Sequence, residues 1–97
     1  MIQITPVKIG EKSATGLRVE LPDSPPLVAI IGEKGFIMCG FLNMEAAERL
    51  KLAAATVSGV NTPEDILQAQ IKVATSKAQA LGIKPGMKGT DALRILL

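Results

Sequence analysis

Two short runs in the middle of the chain, Leu27-Val-Ala-Ile-Ile31 and Phe36-Ile-Met-Cys39, are apolar at every position. Side chains on a strand point alternately to opposite faces, so strands of this kind need cover on both sides. Between the runs stands Gly32-Glu-Lys-Gly35, a polar turn. The pair reads as two central strands joined by a tight hairpin. Their cover must come from the rest of the chain or from self-association.

Ninety-seven residues suffice for one domain, 1–97, with one modest core. Before the central pair, residues 2–9 read as a strand, with Pro6 favouring an edge position because it donates no backbone hydrogen bond. Residues 10–16 read as a polar turn. Residues 17–21 alternate strictly and read as a half-buried strand, stopped by Pro22-Asp-Ser-Pro-Pro26. After the central pair, Asn43 is placed to cap a helix, with Glu45 and Glu48 near its positive end and Arg49 and Lys51 near its negative end. A strand from about Ala54 to Ser58 would make residues 40–53 a crossover between parallel strands, which is right-handed as a rule.

Thr62-Pro-Glu-Asp65 is the sharpest helix start: Thr62 caps, Pro63 suits the first turn and Asp65 can return a bond. That helix should reach at least Ala69. Residues 70–76 fit strand or helix, Ser76 could cap a short helix, and Gly82 should end it in the left-handed conformation. Thr90 is read as the start of a last helix over 91–96. The fold class is therefore α+β. A mixed, mostly antiparallel sheet of about five strands carries one right-handed strand-helix-strand crossover and three or four short helices.

Composition excludes several chemistries. With no histidine there is no imidazole base and no His-ligated metal, and one cysteine allows neither a disulfide framework nor a multi-cysteine zinc site. No metal or cofactor motif is present, so neither is expected. The longest apolar run has five residues, Leu27–Ile31, against the roughly 20 that a bilayer helix needs. The N-terminus lacks the basic-then-apolar pattern of a secretory signal. With the lone cysteine, this points to a reducing cytoplasm.

Gly35-Phe-Ile-Met-Cys-Gly-Phe-Leu-Asn43, of the type G-[FY]-x-M-C-G-x-x-N, resembles the YunC-like family of small bacterial and archaeal proteins. So do Glu45-Ala-Ala-Glu48, Ser58-Gly-Val60, Glu64-Asp-Ile-Leu67, Leu81-Gly-Ile83, Gly86-Met87 and the closing Gly89, Ala92 and Leu93. The resemblance covers roughly residues 26–96. It implies a stand-alone α/β domain of unknown function and brings no catalytic residue to carry over.

Met38, Cys39, Gly40 and Asn43 are the candidate ligand-binding residues. A thiol before a helix N-terminus can become a nucleophile, Gly40 allows close approach, and Asn43 with first-turn amides could meet an anion. Against this, free cysteines usually pack as small apolar groups and asparagine is a preferred cap. Gly32–Gly35 lacks P-loop spacing and joins strands; Gly86-Met-Lys-Gly89, before the last helix, is more simply a turn than an anion site. No carboxylates form a catalytic pair on spacing alone.

Residues 70–97 carry five cations, Lys72, Lys77, Lys84, Lys88 and Arg94, against Asp91 alone. Phe36 and Phe41 are the only aromatics and offer no stacking platform, so nucleic acid is not the expected partner. The excess of apolar surface is the outward-pointing feature. It leads to the expectation of a cytoplasmic, non-enzymatic homo-oligomeric module for binding a small-molecule or protein partner or for assembly. The alternative is a small thiol-dependent enzyme or sensor using Cys39 at a subunit boundary.

Overall fold

The computed structural model describes residues 1–97. Strands β1 (Ile2–Ile9) and β2 (Lys12–Val19) form a hairpin, and β3 (Leu27–Ile31) pairs antiparallel with β2. Strand β4 (Phe36–Met38) pairs antiparallel with β3, β5 (Ala54–Thr56) lies parallel to β4, and β6 (Val73–Ala74) is antiparallel to β5. The six strands lie side by side in chain order. Helix α1 (Met44–Arg49) makes the crossover from β4 to β5, α2 (Pro63–Gln68) and α3 (Ser76–Ala80) flank β6, and α4 (Gly89–Leu96) closes the chain. The α+β class and the mixed sheet agree with the sequence; the sheet has six strands where about five were expected.

The differences have local causes. The turn expected over 10–16 shrinks to Gly10-Glu11, because Ile9 already pairs with Lys12. Ser13, Ala14 and Thr15 do alternate exposed, buried, exposed, but alanine is their only apolar member, so the period is faint in sequence. That strand ends at Val19, not Leu21. Residues 70–76 divide: Val73–Ala74 is strand and Ser76 is already helical. The cap is Thr75, not Ser76. The last helix starts at Gly89, and the Thr90 hydroxyl donates to the Leu67 carbonyl instead of capping. Helix α2 ends at Gln68, with Ala69 as its C-cap.

Other local signals are met as read. Asn43 Oδ1 accepts from the Ala46 N–H. Thr62 and Asp65 form a reciprocal capping box with Pro63 in the first turn. Gly82 follows α3 with φ +111°.

One face of the sheet carries the core. Val7, Ala14, Val28, Ile30, Ile37, Ala55 and Val57 share it by register, and Ile66 of α2 with Leu93 and Leu96 of α4 complete the same cluster. Helices α2 and α4 approach so closely that a Cβ on Gly89 would collide with the Ile66 carbonyl. That position admits no larger residue without parting the helices.

The opposite face is different. A row of register partners, Ile4, Leu17, Ala29, Met38, Thr56 and Val73, crosses all six strands. At the β5 end Ala54 and Thr56 are buried. Toward β1 the face is open: Ile4 is 68% exposed and Ile31 46%, with Leu17, Val19, Leu27, Phe36 and Met38 only half-buried. The central strands are thus fully covered on one side alone.

Thr75 ties the far end together. Its Oγ1 accepts from the Ala54 N–H at 3.1 Å and the Ala78 N–H at 3.2 Å, and donates to the Leu52 carbonyl at 2.6 Å. The residue is wholly buried. One hydroxyl therefore joins β5, the segment before it and the first turn of α3. Thr75→Val keeps the shape but strands two buried donors and an acceptor, so it should lower unfolding free energy by about 2–4 kcal/mol. Thr75→Ser should lose roughly 1 kcal/mol, the value of the missing methyl group. Urea unfolding followed by circular dichroism measures both; equal losses would show that the hydroxyl is not the tie.

Candidate functional site

Strands β4 and β5 are parallel, so both leave the sheet at the same end. The two outgoing loops, Cys39–Asn43 toward α1 and Ser58–Thr62 toward α2, bound a cleft of about 430 Å³. Pro25 and Pro26, from the segment entering β3, form a further wall. Clefts beyond the carboxyl ends of parallel strands are recurrent ligand sites, because diverging loops leave room there.

Both loops are held by local bonds. The Leu42 N–H donates to the Cys39 carbonyl at 3.2 Å, closing a turn, and Asn43 then caps α1. In the second loop Gly59 has φ +71°, a conformation that favours glycine. The N–H groups of Asn61 and Thr62 both donate to Asp65 Oδ2. Arg18 Nε donates to the Asn61 carbonyl at 2.9 Å. The guanidinium also binds Glu20 at 3.1 Å. That hydrogen bond, with the nearby amino terminus, holds the Glu20 carboxyl below its ordinary range. The positive charge at the rim is therefore partnered.

The four sequence candidates separate. Cys39 and Gly40 line the cleft. Met38 belongs to the row on the open sheet face, opposite to its neighbours, and Asn43 is spent on the cap of α1. Cys39 is free, 7% exposed, and its Sγ accepts a long hydrogen bond from the Val28 N–H at 3.4 Å. It counts among the core residues as well as the cleft wall. Gly40 is open: a Cβ there would meet nothing within 4 Å.

Pro25, Pro26, Phe41 and the loop Ser58–Asn61 join the cleft without having been singled out as site residues. Ser58-Gly-Val60 was visible only as part of the family resemblance, and the prolines only as a turn. No Asp, Glu, Lys or Arg lines the cleft. No group of three or more Cys, Asp or Glu side chains is placed to hold a metal ion. A second, smaller cleft of about 270 Å³ lies at the other end of the strands, around the Gly32–Gly35 turn, with Lys34, Lys51 and Lys77 at its edge. The Gly86–Gly89 turn is tied into the body, Gly86 donating to the Ile71 carbonyl and Gly89 to that of Ala69. No helix is long and apolar enough to cross a membrane.

This cleft sits on a fold with known relatives. The chain belongs to a family described as a domain of unknown function, DUF1805, whose model matches residues 38–96. It is 36% identical over 97 residues to "Uncharacterized protein YunC" of Bacillus subtilis (strain 168), a match spanning 96% of this chain and 95% of that protein. Its structure is similar to the crystal structure of a protein of unknown function, TA1206 from Thermoplasma acidophilum. The TM-score is 0.94 at 37% identity, covering 100% of this chain and 94% of that one. The YunC-like resemblance read from Gly35–Asn43 and the later segments is thereby established.

Burial of Cys39 sets its reactivity. In the native protein a maleimide should modify the thiol at least roughly tenfold more slowly than in denaturant, since thiolate chemistry needs access. Mass spectrometry of timed aliquots measures the ratio. Equal rates would mean that the thiol is open to solvent.

Proposed function

We propose that the chain is a cytoplasmic, non-enzymatic binding or assembly module acting as a homo-oligomer, in which the open sheet faces of two copies pack together. The observation that carries this reading is the apolar row Ile4, Leu17, Ala29 and Met38, flanked by Ile2, Val19, Leu27, Ile31 and Phe36 on one uncovered face. At ordinary strand spacing and rise, β1–β4 present on the order of 400 Å² of flat sheet before side-chain relief is counted. That lies within the roughly 300–600 Å² of the largest patch on a typical monomer, a patch that is often functional, and below the roughly 800 Å² per partner of a stable complex.

A second copy is the occupant that fits. Two like sheets can stack about 10 Å apart with their side chains interleaved. A face meeting itself about a two-fold axis closes without leaving a further sticky surface. Lys8, Ser13 and Thr15 at one corner of the face provide the polar rim that such interfaces carry. The non-enzymatic part of the reading draws on the cleft, whose lining offers no carboxylate or ammonium group for proton transfer.

The second reading, a thiol-dependent enzyme or sensor at a subunit boundary, draws on the place of Cys39 in the cleft wall. Its burial and its bond to the Val28 N–H weigh against that reading.

Light scattering after size exclusion at micromolar concentration should give a mass at least twice 10.2 kDa. The double substitution Ile4→Lys with Ile31→Lys, at exposed positions, should return the chain to a monomer with an unchanged far-ultraviolet circular dichroism spectrum. A monomeric wild-type protein overturns the oligomer. An oligomer that survives both lysines overturns the choice of face.

A further inference from the structure

The cleft between the β4 and β5 loops has a chemistry of its own, separate from the sheet face. Its volume of about 430 Å³ lies within the range of small-molecule sites. Its walls bear no ionised side chain, so recognition of a phosphate, carboxylate or ammonium group by a charge partner is not provided. What the walls do offer is flat and apolar. In sequence both phenylalanines read as core and offer no stacking platform, but the Phe41 ring is half exposed beside the cleft, and Pro25 and Pro26 add two rigid rings. Surfaces of this kind favour a planar ring laid against them.

Polar recognition comes from a few groups. The Asn61 backbone is fully used, its carbonyl by Arg18 and its N–H by Asp65. This anchors the residue and leaves its side-chain amide free. A primary amide presents a donor and an acceptor side by side, the pattern that pairs with the donor–acceptor edge of a nucleobase. The Ser58 hydroxyl and the N–H groups of Gly40, Ser58 and Gly59 make no hydrogen bond within the chain and belong to residues that line the same cleft. They add donors that suit ring carbonyl or ring nitrogen acceptors.

We infer that this cleft binds an uncharged planar heterocycle of nucleobase size, laid against Phe41 and the Pro25–Pro26 pair and read by the Asn61 side-chain amide. Ligand binding and oligomer mass are separate readouts, so either can fail without the other.

Calorimetric titration and equilibrium dialysis of the full chain with adenine, hypoxanthine, uracil and cytosine test it, with inorganic phosphate and benzoate as charged probes. The dialysis is clean because the chain has no Trp or Tyr to absorb in the near ultraviolet. At least one heterocycle should saturate at one per protomer with little dependence on salt, while phosphate and benzoate do not bind. Asn61→Leu should weaken that binding at least about tenfold, as loss of a paired amide edge does. Gly40→Leu, at a position with open space around it, should fill the cleft and abolish binding without lowering the melting temperature. Should that variant fail to fold, Asn61→Leu still decides. Failure of all four heterocycles to bind at millimolar concentration overturns the inference. So does binding that survives Asn61→Leu, or phosphate binding as tight as that of the heterocycles.

Discussion

A strand cannot choose which side its neighbours face, and this alternation governs the whole molecule. Leu27–Ile31 and Phe36–Met38 load both faces of the sheet with apolar groups. Helices α2 and α4 supply one cover, through Ile66, Leu93 and Leu96. Over β1 to β4 the other face has no equivalent, and Ala29 is buried there chiefly because it is small among larger neighbours. Chain length explains the shortfall. Four helices of five to eight residues are too short to roof two faces of a six-stranded sheet.

The same alternation separates the cleft from the open face. Met38 and Cys39 are adjacent in sequence but serve opposite sides: one in the cross-sheet row, the other in the core and cleft wall. The parallel pairing of β4 with β5 then brings the loop after each strand to a common end. Capping fixes both loops, by Asn43 in one and by Thr62 with Asp65 in the other. Caps satisfy backbone groups that would otherwise need water, so each cleft loop is anchored where it enters its helix for a reason independent of any ligand.

What could be read from sequence follows the range of the interactions. The Thr62–Asp65 box and the Asn43 cap involve partners three residues apart, and both were legible. The central hairpin was legible because its residue types leave no other pattern. Strand β6 was not, because two residues carry no period; its place is set by Thr56 and Ala54, whose carbonyls accept from Lys72 and Thr75. Thr75 was hidden for the same reason: its three hydroxyl bonds include Leu52, 23 residues away. The cleft was half legible. Cys39 and Gly40 stand out by type, whereas Pro25, Pro26 and Asn61 arrive through sheet register and the Arg18 contact, which no spacing rule reveals. Grouping Met38 and Asn43 with them treated neighbours in sequence as neighbours in space. The two-residue period already forbids that for Met38.

Strand β4 is the element on which both surfaces bear. It has three residues, yet it supplies Met38 and Phe36 to the open face, Ile37 to the core and, one residue on, Cys39 to the cleft. Packed interiors yield little, so a strand this short has no slack with which to isolate one surface from the other. The Cys39 N–H and Sγ are both bonded to Val28, on the strand next to it, at 3.0 Å to its carbonyl and 3.4 Å from its N–H. A change in volume at Met38 would therefore press on the same backbone that positions the cleft wall. Substitutions meant to probe the sheet face alone belong on β1 or at the end of β3, at Ile4 and Ile31, where the side chains are exposed and the cleft-bearing strand is left as it is.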